Sequence, residues 1–148
     1  MEELAGQDIR ADGAENFATR FLLNDACFLA KKTLVLAAVL RFDGQLSTYK
    51  AYLGAPHPCY RCISPEPPPP DAIPSCSQGG VLGAMAGVMG SMQATEVLKE
   101  ILGIGKSLSG RLLIHDGLAG EFRTVRVKPD PSCALCGENP TIVDLAGH

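Results

Sequence analysis

Two Cys-x-x-Cys pairs, Cys59-Tyr60-Arg61-Cys62 and Cys133-Ala134-Leu135-Cys136, stand far apart in the chain, with residues 63 to 132 between them. Two thiolates at that spacing can converge on one metal ion, and two such pairs complete a tetrahedral four-sulfur site. If they share an ion, a loop in the middle of the chain must meet the C-terminal tail. Gly137, directly after the second pair, suits the tight turn of a zinc knuckle. Four protein sulfurs leave no open position for water, so the zinc would be structural rather than catalytic. The competing readings are a redox pair and unrelated surface thiols. A thioredoxin-like pair belongs at a helix start after a strand, and Pro58 with the prolines that follow argues against it.

The rest of the chain must supply a core around that tie. A length of 148 residues suits a single domain spanning 1–148, and 46% hydrophobic with 20% charged residues is a globular balance. Net charge is −3 and no run of like charges exceeds Lys31-Lys32, which excludes the basic stripe of a nucleic-acid binder. Met1 to Asp8 has neither the basic nor the apolar segment of a secretory signal. The longest uncharged stretch, Ala72 to Thr95, is broken by Pro74, Ser75, Gln78 and several glycines, so it reads as a loop entering a buried helix, not a membrane span. Six cysteines without a signal point to a reducing compartment, the cytoplasm.

Hydrophobic periodicity gives an α/β order. Asn16 to Ala30 reads as a helix capped by Asn16, with Phe17, Phe21, Leu22 and Phe28 at helical spacing. Leu34 to Leu40 is a continuous apolar run, as in a buried parallel strand. Gln45 to Leu53 reads as a half-exposed strand and Gly54 to Pro74 as a proline-fixed loop. Gly79 to Leu102 reads as a long helix with a stripe of Val81, Met85, Val88 and Met92; its first half is expected to be buried, with Glu96, Lys99 and Glu100 reaching water. Arg111 to His115 and Glu121 to Val127 follow as two strands about a glycine-containing turn. Before the first helix, residues 1 to 14 hold a short strand at most. Arg10 and Asp12 stand where a buried strand would want apolar residues.

Three further features carry chemistry. Cys76 stands alone ahead of the long helix, where a helix dipole favours a reactive thiolate; from spacing alone the favoured reading is a small loop residue. Asp12, Glu15 and Asn16 form a polar cluster before the first helix. They suit either a magnesium or phosphate-proximal site or a simple N-cap with acids in the first turn. Arg20, one turn on, can pair with either acid, as can Arg41. Cys27 reads as core, and His57, His115 and His148 show no ligand spacing.

Taken in order, these segments resemble the MoeB/ThiF family (with HesA), bacterial relatives of ubiquitin-activating enzymes. The matching stretches are Glu15-Asn16-Phe17-Ala18-Thr19-Arg20 with Asn24-Asp25, Arg41-Phe42-Asp43-Gly44-Gln45, and Cys59-Tyr60-Arg61-Cys62 with the proline-rich loop. Ser75-Cys76, Gly80-Val81-Leu82-Gly83, residues 90–96, His115-Asp116-Gly117 and the Cys133/Cys136 pair continue the match. The resemblance implies the C-terminal half of a doubly wound Rossmann-like domain with a four-cysteine zinc knuckle. It implies an ATP- and Mg2+-dependent adenylyltransferase acting on the C-terminal glycine of a ubiquitin-like sulfur carrier of the MoaD or ThiS type, in molybdopterin or thiamine biosynthesis. It also implies a homodimer. Carried over by motif, Asn16 and Arg20 lie near the nucleotide with Asp12, Glu15 stands at the magnesium-binding acid, and Cys76 matches a mobile-loop cysteine of thioester or acyl-disulfide chemistry.

This chain departs from the family pattern in two respects. No strand and glycine-rich phosphate loop precede Asp12, so the N-terminal nucleotide-binding half is absent from these 148 residues. Glu15 stands where the family has Asp, one methylene longer at a metal with strict geometry. The alternative is therefore a non-catalytic, carrier-binding zinc module or a degenerate fragment of such an enzyme.

Overall fold

The computed structural model describes residues 8–13, 16–69 and 80–148. Five strands form one sheet in the order β1-β2-β3-β4-β5: Ile9–Asp12, Thr33–Leu40, Asp43–Tyr49, Arg111–Asp116 and Glu121–Arg126. β1 and β2 are parallel and are joined by helix α1, Phe17–Leu29, as a parallel pair requires. All other neighbours are antiparallel. A single turn of helix, α2 (Tyr60–Ile63), carries the first cysteine pair, and α3 (Gly83–Leu102) is the long helix.

β2 explains its own composition. Leu34 and Leu36 meet Phe21, Ala26, Cys27, Tyr49 and Tyr60 on the α1 face. Val35 and Ala37 meet Leu46, Met89 and Leu108 on the α3 face. Successive side chains point to opposite faces and both are covered, so the buried run Leu34 to Ala37 is apolar throughout. The strand is parallel only on its β1 side; toward β3 it turns back through Arg41-Phe42, pairing Leu40 with Asp43. Arg41 takes φ +56 at the first turn position, the left-handed backbone that such a two-residue hairpin needs. Its N–H and carbonyl are engaged by Gly80 O and Leu82 N, so Arg41 anchors the approach to α3 through its backbone.

Three expectations are corrected. β3 ends at Tyr49, residues 51–53 forming a 3-10 turn, and Leu46, Ser47, Thr48 and Tyr49 are buried instead of half-exposed. A strand with partners on both sides can carry polar residues inward when they are bonded, and Ser47 Oγ donates to Leu108 O and Arg111 O. Secondly, α3 begins at Gly83, and among the described residues one of its faces is covered, through Met85, Met89 and Glu96, while Val88 lies outward. Glu96 is buried because Lys99 Nζ donates to both carboxylate oxygens at 2.7 Å. Thirdly, the proline-fixed loop is interrupted by α2. Among the described residues, no helix is long and apolar enough to cross a membrane.

Candidate metal centre

A third buried cluster lies beneath the end of α1, where Cys59, Cys133 and Leu135 pack against Phe28, Leu29 and Ala51. Here the sheet, α2 and the tail bring the two distant cysteine pairs together. All four sulfurs lie within 4.8 Å of one another. The Sγ separations are 3.9 Å for Cys59–Cys62, 3.6 Å for Cys59–Cys133, and 3.4 Å for both Cys62–Cys136 and Cys59–Cys136. A tetrahedron with Zn–S of about 2.3 Å has edges of about 3.8 Å, so this spacing fits a zinc ion. A disulfide needs about 2.05 Å, which none of these pairs approaches.

Local backbone shapes each half. Cys59 caps α2 and its carbonyl accepts from Cys62 N at 3.1 Å, which turns both sulfurs to one side. In the second half Gly137 N donates to Cys133 O at 3.0 Å. The backbone N–H of Asp130 reaches across to Cys62 Sγ at 3.4 Å, joining the halves directly. Hydrogen bonds from Cys136 and Cys59 hold the Cys62 thiol far below its ordinary range, while the Cys59 thiol is driven up by its bonds to Cys136 and Cys62 and by burial. One thiolate thus forms readily, and further ionisation needs a cation to compensate it.

The residues between the first two cysteines are anchored to α1. Arg61 Nε donates to Asp25 Oδ1 at 2.8 Å and Nη2 to Oδ2 at 2.7 Å, a two-point grip on a carboxylate with no solvent exposure. Tyr60 N donates to Asn24 Oδ1 at 2.9 Å. His148 Nε2 lies 2.7 Å from Asp25 Oδ2. These partners were missed from sequence, although an Asn-Asp pair inside an apolar helix face and an arginine between two cysteines were both visible. His57 bonds Ser109 and His115 stacks on Phe122, so the histidines have structural partners outside the sulfur cluster.

The second group of candidates follows the β1–α1 connection. Asp12 ends β1; its carbonyl accepts from Gln93 Nε2 at 2.7 Å. Asn16 caps α1, Oδ1 accepting from Thr19 N at 2.8 Å. Arg20 stands over the Phe17 ring at 4.8 Å and lines a small open cleft with Gln45, Tyr49 and Tyr60. Asp12 closes the parallel strand β1, the end at which open α/β sheets place their ligands, and Asn16 and Arg20 belong to the cap and first turn of the next helix. Glu15 and Cys76 lie outside the described residues. Cys27 is core, its thiol pushed up to about 11 chiefly by burial.

Comparisons with known proteins agree with this architecture. The model of the ThiF family matches residues 2–135. The chain is 53% identical over 142 residues to the adenylyltransferase and sulfurtransferase MOCS3 of Bos taurus, covering 95% of this chain and 30% of that protein. It is 45% identical over 150 residues to the sulfur carrier protein adenylyltransferase of Thermus thermophilus, covering 100% of this chain and 55% of that one. Among solved structures, E. coli MccB with MccA-N7isoASN superposes with a TM-score of 0.70 at 14% identity, over 88% of this chain and 41% of that one. The chain thus spans from 30% to 55% of the length of these two curated relatives.

Proposed function

We propose, from the premise that this chain belongs to the ThiF family, that it is the zinc-tied part of an adenylyltransferase for a sulfur-carrier protein. The observation that carries the reading is the β1–α1 connection. Asp12 is the last residue of β1, which runs parallel to β2, and Asn16 and Arg20 belong to the cap and first turn of the helix that follows, so their order in the chain supports the reading. In the adenylation, the carrier's C-terminal carboxylate attacks the α-phosphorus of ATP, forming an acyl adenylate and releasing pyrophosphate. The Arg20 guanidinium would offset charge developing on the phosphoryl oxygens. Asn16 and Glu15 would flank the nucleotide and its magnesium, and Cys76 would enter the later sulfur chemistry. Zinc bound by Cys59, Cys62, Cys133 and Cys136 would supply only structural cross-linking.

We further propose a carrier ending in Gly-Gly, service to molybdopterin or thiamine synthesis, the second half of a doubly wound domain, a homodimer and a cytoplasmic location. No strand with a glycine-rich phosphate turn precedes Asp12, so activity would depend on a separately encoded N-terminal half that supplies the triphosphate nest. A second reading, a carrier-binding module without chemistry, is favoured by the outward apolar positions of α3, Leu98, Ile101 and Leu102, each more than half exposed. ATP–pyrophosphate exchange with a carrier ending in Gly-Gly separates the two. Exchange that falls at least about tenfold in Arg20→Ala supports the adenylyltransferase; carrier binding without exchange supports the module.

A further inference from the structure

Both halves of the sulfur cluster lead to one buried carboxylate. From the first half, Arg61 makes its two-point contact with Asp25, and its guanidinium lies 4.8 Å over the Phe21 ring. Tyr60 packs edge-on against the same Phe21 at 5.1 Å while its N–H is held by Asn24. From the tail beyond the second half, His148 Nε2 reaches Asp25 Oδ2 at 2.7 Å. Between two metal-binding cysteines the intervening residues need only form a turn. Here both are fastened to α1, one by a backbone bond and one by an ion pair whose side chains are 12% and 0% exposed.

We propose that Arg61 and Asp25 are positioning residues for the metal site, holding the Cys59/Cys62 half in its metal-ready geometry and coupling metal occupancy to helix α1. Sulfurs already 3.4–3.9 Å apart make the metal-ready shape the resting shape of the loop. A four-thiolate zinc site carries a net charge of about −2, so a cation inside the loop is electrostatically favoured. Asp25 then fixes where that cation sits. Partners behind metal ligands commonly set affinity by about 10- to 100-fold. The link continues to Tyr60, which shares the cleft wall with Arg20. Metal loss would therefore loosen α1 near residues 21–25. The proposal stands on the sulfur cluster and does not depend on adenylation.

The test is zinc affinity of the full chain by competition with a chromophoric chelator, for wild type, Arg61→Met and Arg61→Lys; the control is Val39→Ala, which weakens the core that Val35, Leu46 and Met89 form with it. Hydrogen exchange across α1 is followed with and without zinc. Expected is a loss of affinity of about tenfold or more in Arg61→Met, a smaller loss in Arg61→Lys, and little change in Val39→Ala. Zinc should protect residues 21–25 in wild type but not in Arg61→Met. Unchanged affinity in both Arg61 variants, or an equal loss in Val39→Ala, would overturn it. So would α1 protection by zinc that persists in Arg61→Met.

Discussion

The side-chain amide of Gln93, on α3, bridges two strands of the sheet, its Nε2 donating to Asp12 O at 2.7 Å and to Val35 O at 3.0 Å. The bridge ties the end of β1 to β2 and to α3. Gln93→Glu replaces both donors with an acceptor facing two carbonyls. It should cost about 3 kcal/mol, seen as a lower urea midpoint with unchanged slope. A loss under about 1 kcal/mol would show that the bridge does not hold the strand.

Asp25 should be among the least replaceable polar residues. Removing one member of a buried ion pair leaves the other charge without compensation, at about 3–5 kcal/mol. Asp25→Ala should therefore destabilise the zinc-saturated protein by that order in chemical denaturation. Joining Arg61→Met to it should return part of the loss, whereas strictly additive losses would mean that the two groups do not act as a pair.

Zinc uptake should reach one ion per chain, and Cys59→Ser or Cys136→Ser should abolish tight binding. Because hydrogen bonds from Cys136 and Cys59 favour the thiolate of Cys62, uptake should release fewer than four protons, measurable by calorimetry in buffers of different ionisation enthalpy. The remaining thiols must lose protons to bind, so affinity should fall as pH falls. Release of four protons at pH 7 would mean that Cys62 is still protonated before zinc binds.

Gly137→Ala tests the second half of the cluster. A Cβ there would meet Pro131 O at 2.6 Å and Cys133 N at 2.7 Å, all of it backbone within the knuckle. The turn must open to admit it, moving Cys133 and Cys136 apart. Zinc affinity should drop by about 10-fold or more, as for a lost supporting contact, while Gly147→Ala, whose Cβ meets nothing within 4 Å, should bind as wild type.

His57 should contribute a measurable acid sensitivity. Its folded pKa lies below the ordinary 6.5, first through burial and then through nearby Lys50. The folded state therefore binds fewer protons than the unfolded one, so stability is full above about pH 6.5 and declines as pH falls from there to the folded value. His57→Gln should flatten the decline of Tm between pH 7 and 5; an unaltered decline would assign it to other groups.

The sequence by itself determined the features whose cause is local or periodic. Asn16 caps α1 because its side chain reaches an N–H three residues away. Thr33–Leu40 is a strand because both of its faces are covered, and Gly103, at φ +64, ends α3 because it takes the left-handed turn readily. The paired cysteine spacing marked the sulfur cluster, since tetrahedral coordination restricts which spacings can work. Only the tertiary structure decided what depends on residues far apart in the chain. The burial of β3 came from strands on both sides, and the uncovered face of α3 from a sheet that packs against one side alone. Asp25 could be a helix acid like any other until residue 61 and residue 148 are brought to it. A buried charge is stable only with its partner, and partners separated by 36 and 123 positions leave no periodic trace in the chain.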